Sequence, residues 1–151
     1  MSIDQAKLNS RTRDAIHDYC ALLPTTVGAV TEQSRDAGVK FTVANPLMSD
    51  RPLEVSTENG ELTVYFATGH YHIADYGQGR AVAELVEDMI LGIAGIFGAI
   101  SCCYAAYAGD RVLDGGLIRG SSDDVRSVNP WSKADKIQIY CWDGSGDRII
   151  S

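Results

Sequence analysis

Glu61-Leu62-Thr63-Val64-Tyr65-Phe66, continuing through Gly69 to His70-Tyr71-His72, opens the stretch whose reading decides the fold, which runs on to Ile118. β-Branched and aromatic residues fill Leu62 to Phe66, and Glu58-Asn59-Gly60 precedes them. Asn-Gly is the strongest short signal for a tight hairpin turn, so Leu53-Glu54-Val55-Ser56-Thr57 is read as the partner strand. From Arg80 the period changes. Val82, Leu85, Val86, Met89, Ile90 and Ile93 recur at helical spacing, while Glu84, Glu87 and Asp88 take the other side, which predicts an amphipathic helix laid on a sheet. Gly92, Gly95 and Gly98 together would cost a continued helix roughly 3 kcal/mol relative to alanine, so the expected end is Gly92, a left-handed cap. Ile96 to Ala108 then reads as a buried strand that turns at Gly109-Asp110 into Arg111-Val112-Leu113.

Residues 89 to 109 carry no charge and nearly suffice to cross a bilayer. Their flanks, Glu87-Asp88 and Asp110-Arg111, lack the basic bias of a membrane span, and Gly, Ala, Ser and Cys dilute the segment. Buried core is the better reading.

Outside this stretch, Leu8, Ile16, Tyr19, Cys20 and Leu23 share one helical face, and Pro24 stops that helix, predicted over Gln5 to Leu23. His17 lies beside the stripe and is read as a partly buried, hydrogen-bonded histidine rather than a ligand. Residues 25 to 38 read as loop. Val39-Lys40-Phe41-Thr42-Val43 alternates as a half-buried strand before Asn45-Pro46. Gly120 to Asp135 is a long acidic connection, of the kind that is usually functional or disordered. Its Trp131 either folds onto the core or anchors an interface. Lys136 to Trp142 and Arg148-Ile149-Ile150 form the last strand pair around Asp143-Gly144-Ser145-Gly146-Asp147. The expected fold is one α+β domain over residues 1–151, with a mainly antiparallel sheet, two helices packed against it, and the order α-β-β-β-α-β-β-β.

The chain has 151 residues, enough for one core. Its formal charge is −7, which disfavours nucleic acid and anionic membrane and favours a basic partner. Cys20, Cys102, Cys103 and Cys141 show no CxxC spacing, so reduced cysteines in a cytoplasmic protein are expected. No cofactor is implied.

Several constellations could carry chemistry. His70 and His72, two apart on a strand, share a face and could hold a metal if a carboxylate joined them. An unbroken strand would put them with Leu62, Val64 and Phe66; a bulge at Gly69 would turn them outward. Asp143 to Asp147 resembles the start of a calcium loop but lacks the distal Glu, and is read as a hairpin turn. Gly77-Gln78-Gly79-Arg80 is read as a strand-to-helix turn rather than an anion loop. Cys102 and Cys103 point to opposite faces of a strand, so at most one could act as a nucleophile, and burial opposes a thiolate.

Leu62 to Phe66 leading to His70-Tyr71-His72, the helix with Glu84-Leu85-Val86-Glu87-Asp88-Met89-Ile90, then Asp114-Gly115-Gly116-Leu117-Ile118 and Trp142 to Arg148 together resemble small uncharacterised bacterial α+β proteins. Some of these are similar to immunity proteins of polymorphic toxin systems. The resemblance spans roughly the C-terminal 90 residues and rests on short motifs. It implies a non-enzymatic binding protein that neutralises a basic toxin through an acidic surface. The contacts expected on that surface are Asp123, Asp124, Trp131, Trp142, Asp143 and Asp147, charges steering association and tryptophans supplying affinity. The rival classes are a small metal-dependent hydrolase using His70 and His72, and a structural subunit forming a homo-oligomer.

Overall fold

The computed structural model describes residues 2–119 and 134–150. Asp123, Asp124 and Trp131 lie outside the described residues. Helix α1 spans Gln5–Ala21, and the Asp4 side chain caps its start by accepting the Lys7 backbone N–H at 3.0 Å. Leu8, Thr12, Ile16 and Cys20 form its buried stripe, and the helix ends before Pro24, as expected from the missing donor.

The first sheet has five antiparallel strands in chain order: β1 Val30–Arg35, β2 Gly38–Val43, β3 Leu53–Ser56, β4 Leu62–Phe66 and β5 Gly69–Ile73. Strand β1 corrects the loop expected over 25–38. From Thr31 to Arg35 it is exposed, and an edge strand without a buried face carries no hydrophobic alternation to read. The Asn-Gly turn forms as expected, with Asn59 at φ 57° and Gly60 at φ 73°. A second turn was not expected. Ala67 adopts φ 52°, Phe66 pairs with Gly69, and the stretch from Leu62 to His72 becomes two strands instead of one.

Helix α2 spans Val82–Phe97 and runs through Gly92 and Gly95, correcting the end expected at Gly92. These glycines are needed for close approach rather than for a cap. A Cβ at Gly92 would lie 2.0 Å from the Tyr71 hydroxyl, and one at Gly95 would lie 2.8 Å from Ser101 Oγ. Tertiary packing outweighs the propensity penalty. The expected strand from Ile96 accordingly starts later, as β6 Ser101–Ala108.

With β6, strands β7 Arg111–Arg119, β8 Lys136–Tyr140 and β9 Arg148–Ile150 form a second antiparallel sheet, ordered β7-β6-β8-β9. The class is α+β as expected. Three strands were expected on each side of α2; among the described residues, five precede it and four follow.

Leu8, Ile16 and Cys20 of α1 and Leu85, Met89, Ile93 and Ile96 of α2 pack with Phe41, Val55, Leu62, Val64 and Phe66 in one core, which extends to Cys103 of the second sheet. Trp142 joins it. Its ring lies 5.9 Å from Phe66 and 4.7 Å from Phe97, and its indole N–H donates to the Thr26 carbonyl at 2.8 Å. Trp142 is therefore no surface contact, because a fully buried indole with a satisfied donor is core.

Cys102 and Cys141 form a disulfide, correcting the expectation of four reduced cysteines. The pairing of β6 with β8 sets Cys103 opposite Tyr140, which brings the next positions, Cys102 and Cys141, to a Cα separation of 4.6 Å. Cys20 and Cys103 are free and buried. Among the described residues, no helix is long and apolar enough to cross a membrane.

Candidate functional site

The helices cover the face of the first sheet that presents Val39, Phe41, Val55 and Val64. Alternation sends the intervening residues to the opposite face. The strand register arranges them in two cross-strand rows: Thr31, Thr42, Glu54, Tyr65 and His70 in one, and Gln33, Lys40, Ser56, Thr63 and His72 in the other. Lys40 pairs with Glu54. Beside them, Arg35, Glu58 and Tyr65 border an open depression of about 400 Å³.

His70 and His72 close this face at β5, and both are exposed. Opposite residues of an antiparallel pair share a face, so Tyr65 and Thr63 on β4 bring His70 and His72 outward with them. The hairpin turn at Ala67 produces this orientation, and no bulge at Gly69 is involved. The His70 ring lies 5.6 Å from Tyr65 and 5.1 Å from His72. His72 Nδ1 is 2.5 Å from Glu61 Oε1 and 3.1 Å from Thr63 Oγ1. Glu61 was not expected here, although its place directly after the Asn-Gly turn leads into β4 and sets it beside β5. Among the described residues, no group of three or more His, Cys, Asp or Glu side chains is arranged to hold a metal ion.

The acidic turn after Trp142 divides into two roles. The Asp143 carboxylate is exposed and accepts the Ser145 hydroxyl at 2.6 Å and its backbone N–H at 2.9 Å. These bonds to the charged form hold its pKa below the ordinary aspartate range. Asp147 is committed internally. It accepts from Arg51 Nη1 and from the Cys141 backbone N–H, each at 2.8 Å. Arg51 also donates to the Cys141 carbonyl at 3.0 Å and lies over the Tyr140 ring. Asn45 adds a bond to the Trp142 carbonyl at 2.8 Å. Asp147 thus fastens the chain end to the segment before β3, a role invisible in sequence because Arg51 lies 96 positions away.

On α2, Glu84, Glu87 and Asp88 are exposed in consecutive turns. Arg80 pairs with Asp88 and approaches Glu84 at 4.0 Å. Leu91 continues the same strip at 66 % exposure, and Ile100 stands near it at 60 %. Both line a shallow depression with Ala94 and Gly95. The helix pattern made the acidic side legible, but Leu91 and Ile100 looked like core. At Gly77 to Arg80, the Asp75 carboxylate accepts the Arg80 backbone N–H. A carboxylate there opposes anion binding and fits the turn reading. The Cys103 thiol is pushed above its ordinary pKa by burial, and Cys102 is oxidised, so neither supplies a thiolate. Comparison of the chain with protein-family models, curated proteins and solved structures found no match.

Proposed function

We propose that the chain is a non-enzymatic binding protein of the immunity type, which engages a basic protein partner such as a toxin through an acidic surface. The observation that carries this reading is the strip on α2. Exposed Glu84, Glu87 and Asp88 are followed one turn on by exposed Leu91, which shares a depression with exposed Ile100, a combination of charges that steer encounter and apolar side chains that gain from desolvation. The formal charge of −7 acts in the same direction at longer range. In the C-terminal turn Asp143 and Asp147 are both exposed, but Asp147 is already paired with Arg51, so Asp143 is the member that adds charge for such contacts.

The Cys102–Cys141 disulfide supports an oxidising compartment for this role over the cytoplasm expected from cysteine spacing, because cytosolic thiol pools keep such pairs reduced. The test is purification of the partner from the source cell at low salt, followed by association kinetics of the pure pair. Association should slow as salt rises and slow further in Glu87→Lys. Rates insensitive to both would reject the acidic-surface reading.

A further inference from the structure

We propose that His70 and His72 form a surface chelate for a divalent transition-metal ion of the copper, nickel or zinc class. The protein supplies two imidazole ligands and water completes the shell. Two imidazoles bound to one ion through bonds of about 2.0–2.1 Å place each ring centroid roughly 3.2 Å from the metal, and a tetrahedral angle then separates the centroids by about 5.2 Å. The His70 and His72 centroids are 5.1 Å apart. Both rings are exposed on one sheet face, and neighbouring strand β4 holds their backbone in register through the Tyr65 and Thr63 pairs.

Glu61 provides a second, independent feature. Its carboxylate lies against His72 Nδ1, and a carboxylate, which only accepts, favours the neutral tautomer with the proton on that nitrogen and Nε2 as the ligand atom. A carboxylate behind a ligating histidine orients the ring and raises its basicity. Imidazole is a suitable donor for copper, nickel and zinc, whereas magnesium and calcium take oxygen ligands. The site therefore discriminates by ligand chemistry. Chelation by this pair requires no protein partner.

The experiment is calorimetric titration of the intact chain with Zn²⁺, Ni²⁺, Cu²⁺ and Mg²⁺, with the histidine ring signals followed by NMR. One transition-metal ion should bind per chain, shifting the His70 and His72 signals together, with no response to Mg²⁺. Because loss of one arm abolishes chelation, His70→Ala and His72→Ala should each weaken binding by at least an order of magnitude. Glu61→Gln should weaken it about 10–100-fold while preserving the stoichiometry. His17 is exposed on α1, far from the pair in sequence, and His17→Ala should change nothing. All three histidines are exposed, so the variants keep the core intact, and unfolding curves matching the parent verify this. Binding that survives either single substitution, or that moves the His17 signal instead, would overturn the proposal, as would the absence of heat and of signal shifts.

Discussion

The two sheets achieve their burial in different ways. In the first, β2 alternates between half-buried and buried positions along its whole length, one face resting on the helices and the other left polar. In the second, β6 is buried on both sides: Cys102 and Ala106 on one face are 1 % exposed, and Cys103 and Ala105 on the other are fully buried. Alternation requires one wet face, so it records burial in the first sheet and vanishes in the second. Small side chains in β6 permit this enclosure. Where the sheets meet, even a methyl group is too much, since a Cβ at Gly69 would lie 2.7 Å from Cys103 Sγ.

Trp142, just past β8, packs against Phe66 of the first sheet and Phe97 of α2, and its removal is expected to have the largest effect. Trp142→Ala deletes the contacts to Phe66 and Phe97 and the bond to Thr26, and should cost about 3–5 kcal/mol in denaturant unfolding. Trp142→Phe keeps the ring packing but loses the donor, and a much smaller loss is expected. Equal losses in the two variants would mean that the hydrogen bond to Thr26, rather than the ring packing, accounts for the contribution of Trp142.

The disulfide belongs to the second sheet alone. Its removal by Cys102→Ala with Cys141→Ala should lower stability by about 2–4 kcal/mol. Unfolded under non-reducing conditions, the parent chain should expose two reactive thiols, from Cys20 and Cys103, and four after reduction. In the folded chain the Cys20 thiol, pushed up to about 11 by burial, should resist alkylation at neutral pH. Four thiols without reductant would remove the bridge from the account of this sheet.

The same contrast explains what could be read from the residues. The Asn59-Gly60 turn, the apolar stripes of α1 and α2, and the alternation of β2 are local patterns with one wet side, and each was legible. Strand β1 has no dry side and looked like loop. Gly92 and Gly95 looked like helix terminators because propensity is local, while the reason for them, the close approach of Tyr71 and Ser101, is tertiary. At the candidate site, His70 and His72 stood out by spacing, but their orientation depended on the turn at Ala67, whose φ of 52° is unusual for alanine. Asp147 carried no sign of Arg51, and Trp142 no sign of Thr26, since partners this distant leave no periodicity.

Gly92 offers a sharper test of helix packing in the first system. Gly92→Ala should destabilise by about 1–3 kcal/mol despite alanine's better helix propensity, because the new Cβ meets the Tyr71 hydroxyl. That hydroxyl is buried, and no hydrogen-bond partner meets it among the described residues; its pKa is pushed up to about 12 by burial. Tyr71→Phe alone should therefore be close to neutral or stabilising. Combined, the two changes should cost less than Gly92→Ala alone, a positive coupling measurable by a double-mutant cycle. Additive costs would place the strain elsewhere than between this ring and the helix.

The smallest effect is expected at the turn that closes the second sheet, where Asp143 is bound by Ser145. The folded-state pKa of Asp143 is lowered, first by the Ser145 hydroxyl and then by its backbone N–H. A carboxyl group whose pKa is lowered by folding stabilises the fold fully above its unfolded value of about 3.9, and the contribution disappears as pH falls through the folded value. Ser145→Ala removes the larger cause and leaves the backbone bond. The Asp143 titration, followed by carboxyl-carbon NMR, should then move upward toward the ordinary range without reaching it. Because the group is exposed, stability at neutral pH should change by less than about 1 kcal/mol. The difference between variant and parent should shrink on acidification, since a protonated Asp143 accepts from either donor less strongly than the carboxylate does. A gap that widened toward low pH would mean that Ser145 supports the turn by some means other than binding the charged carboxylate.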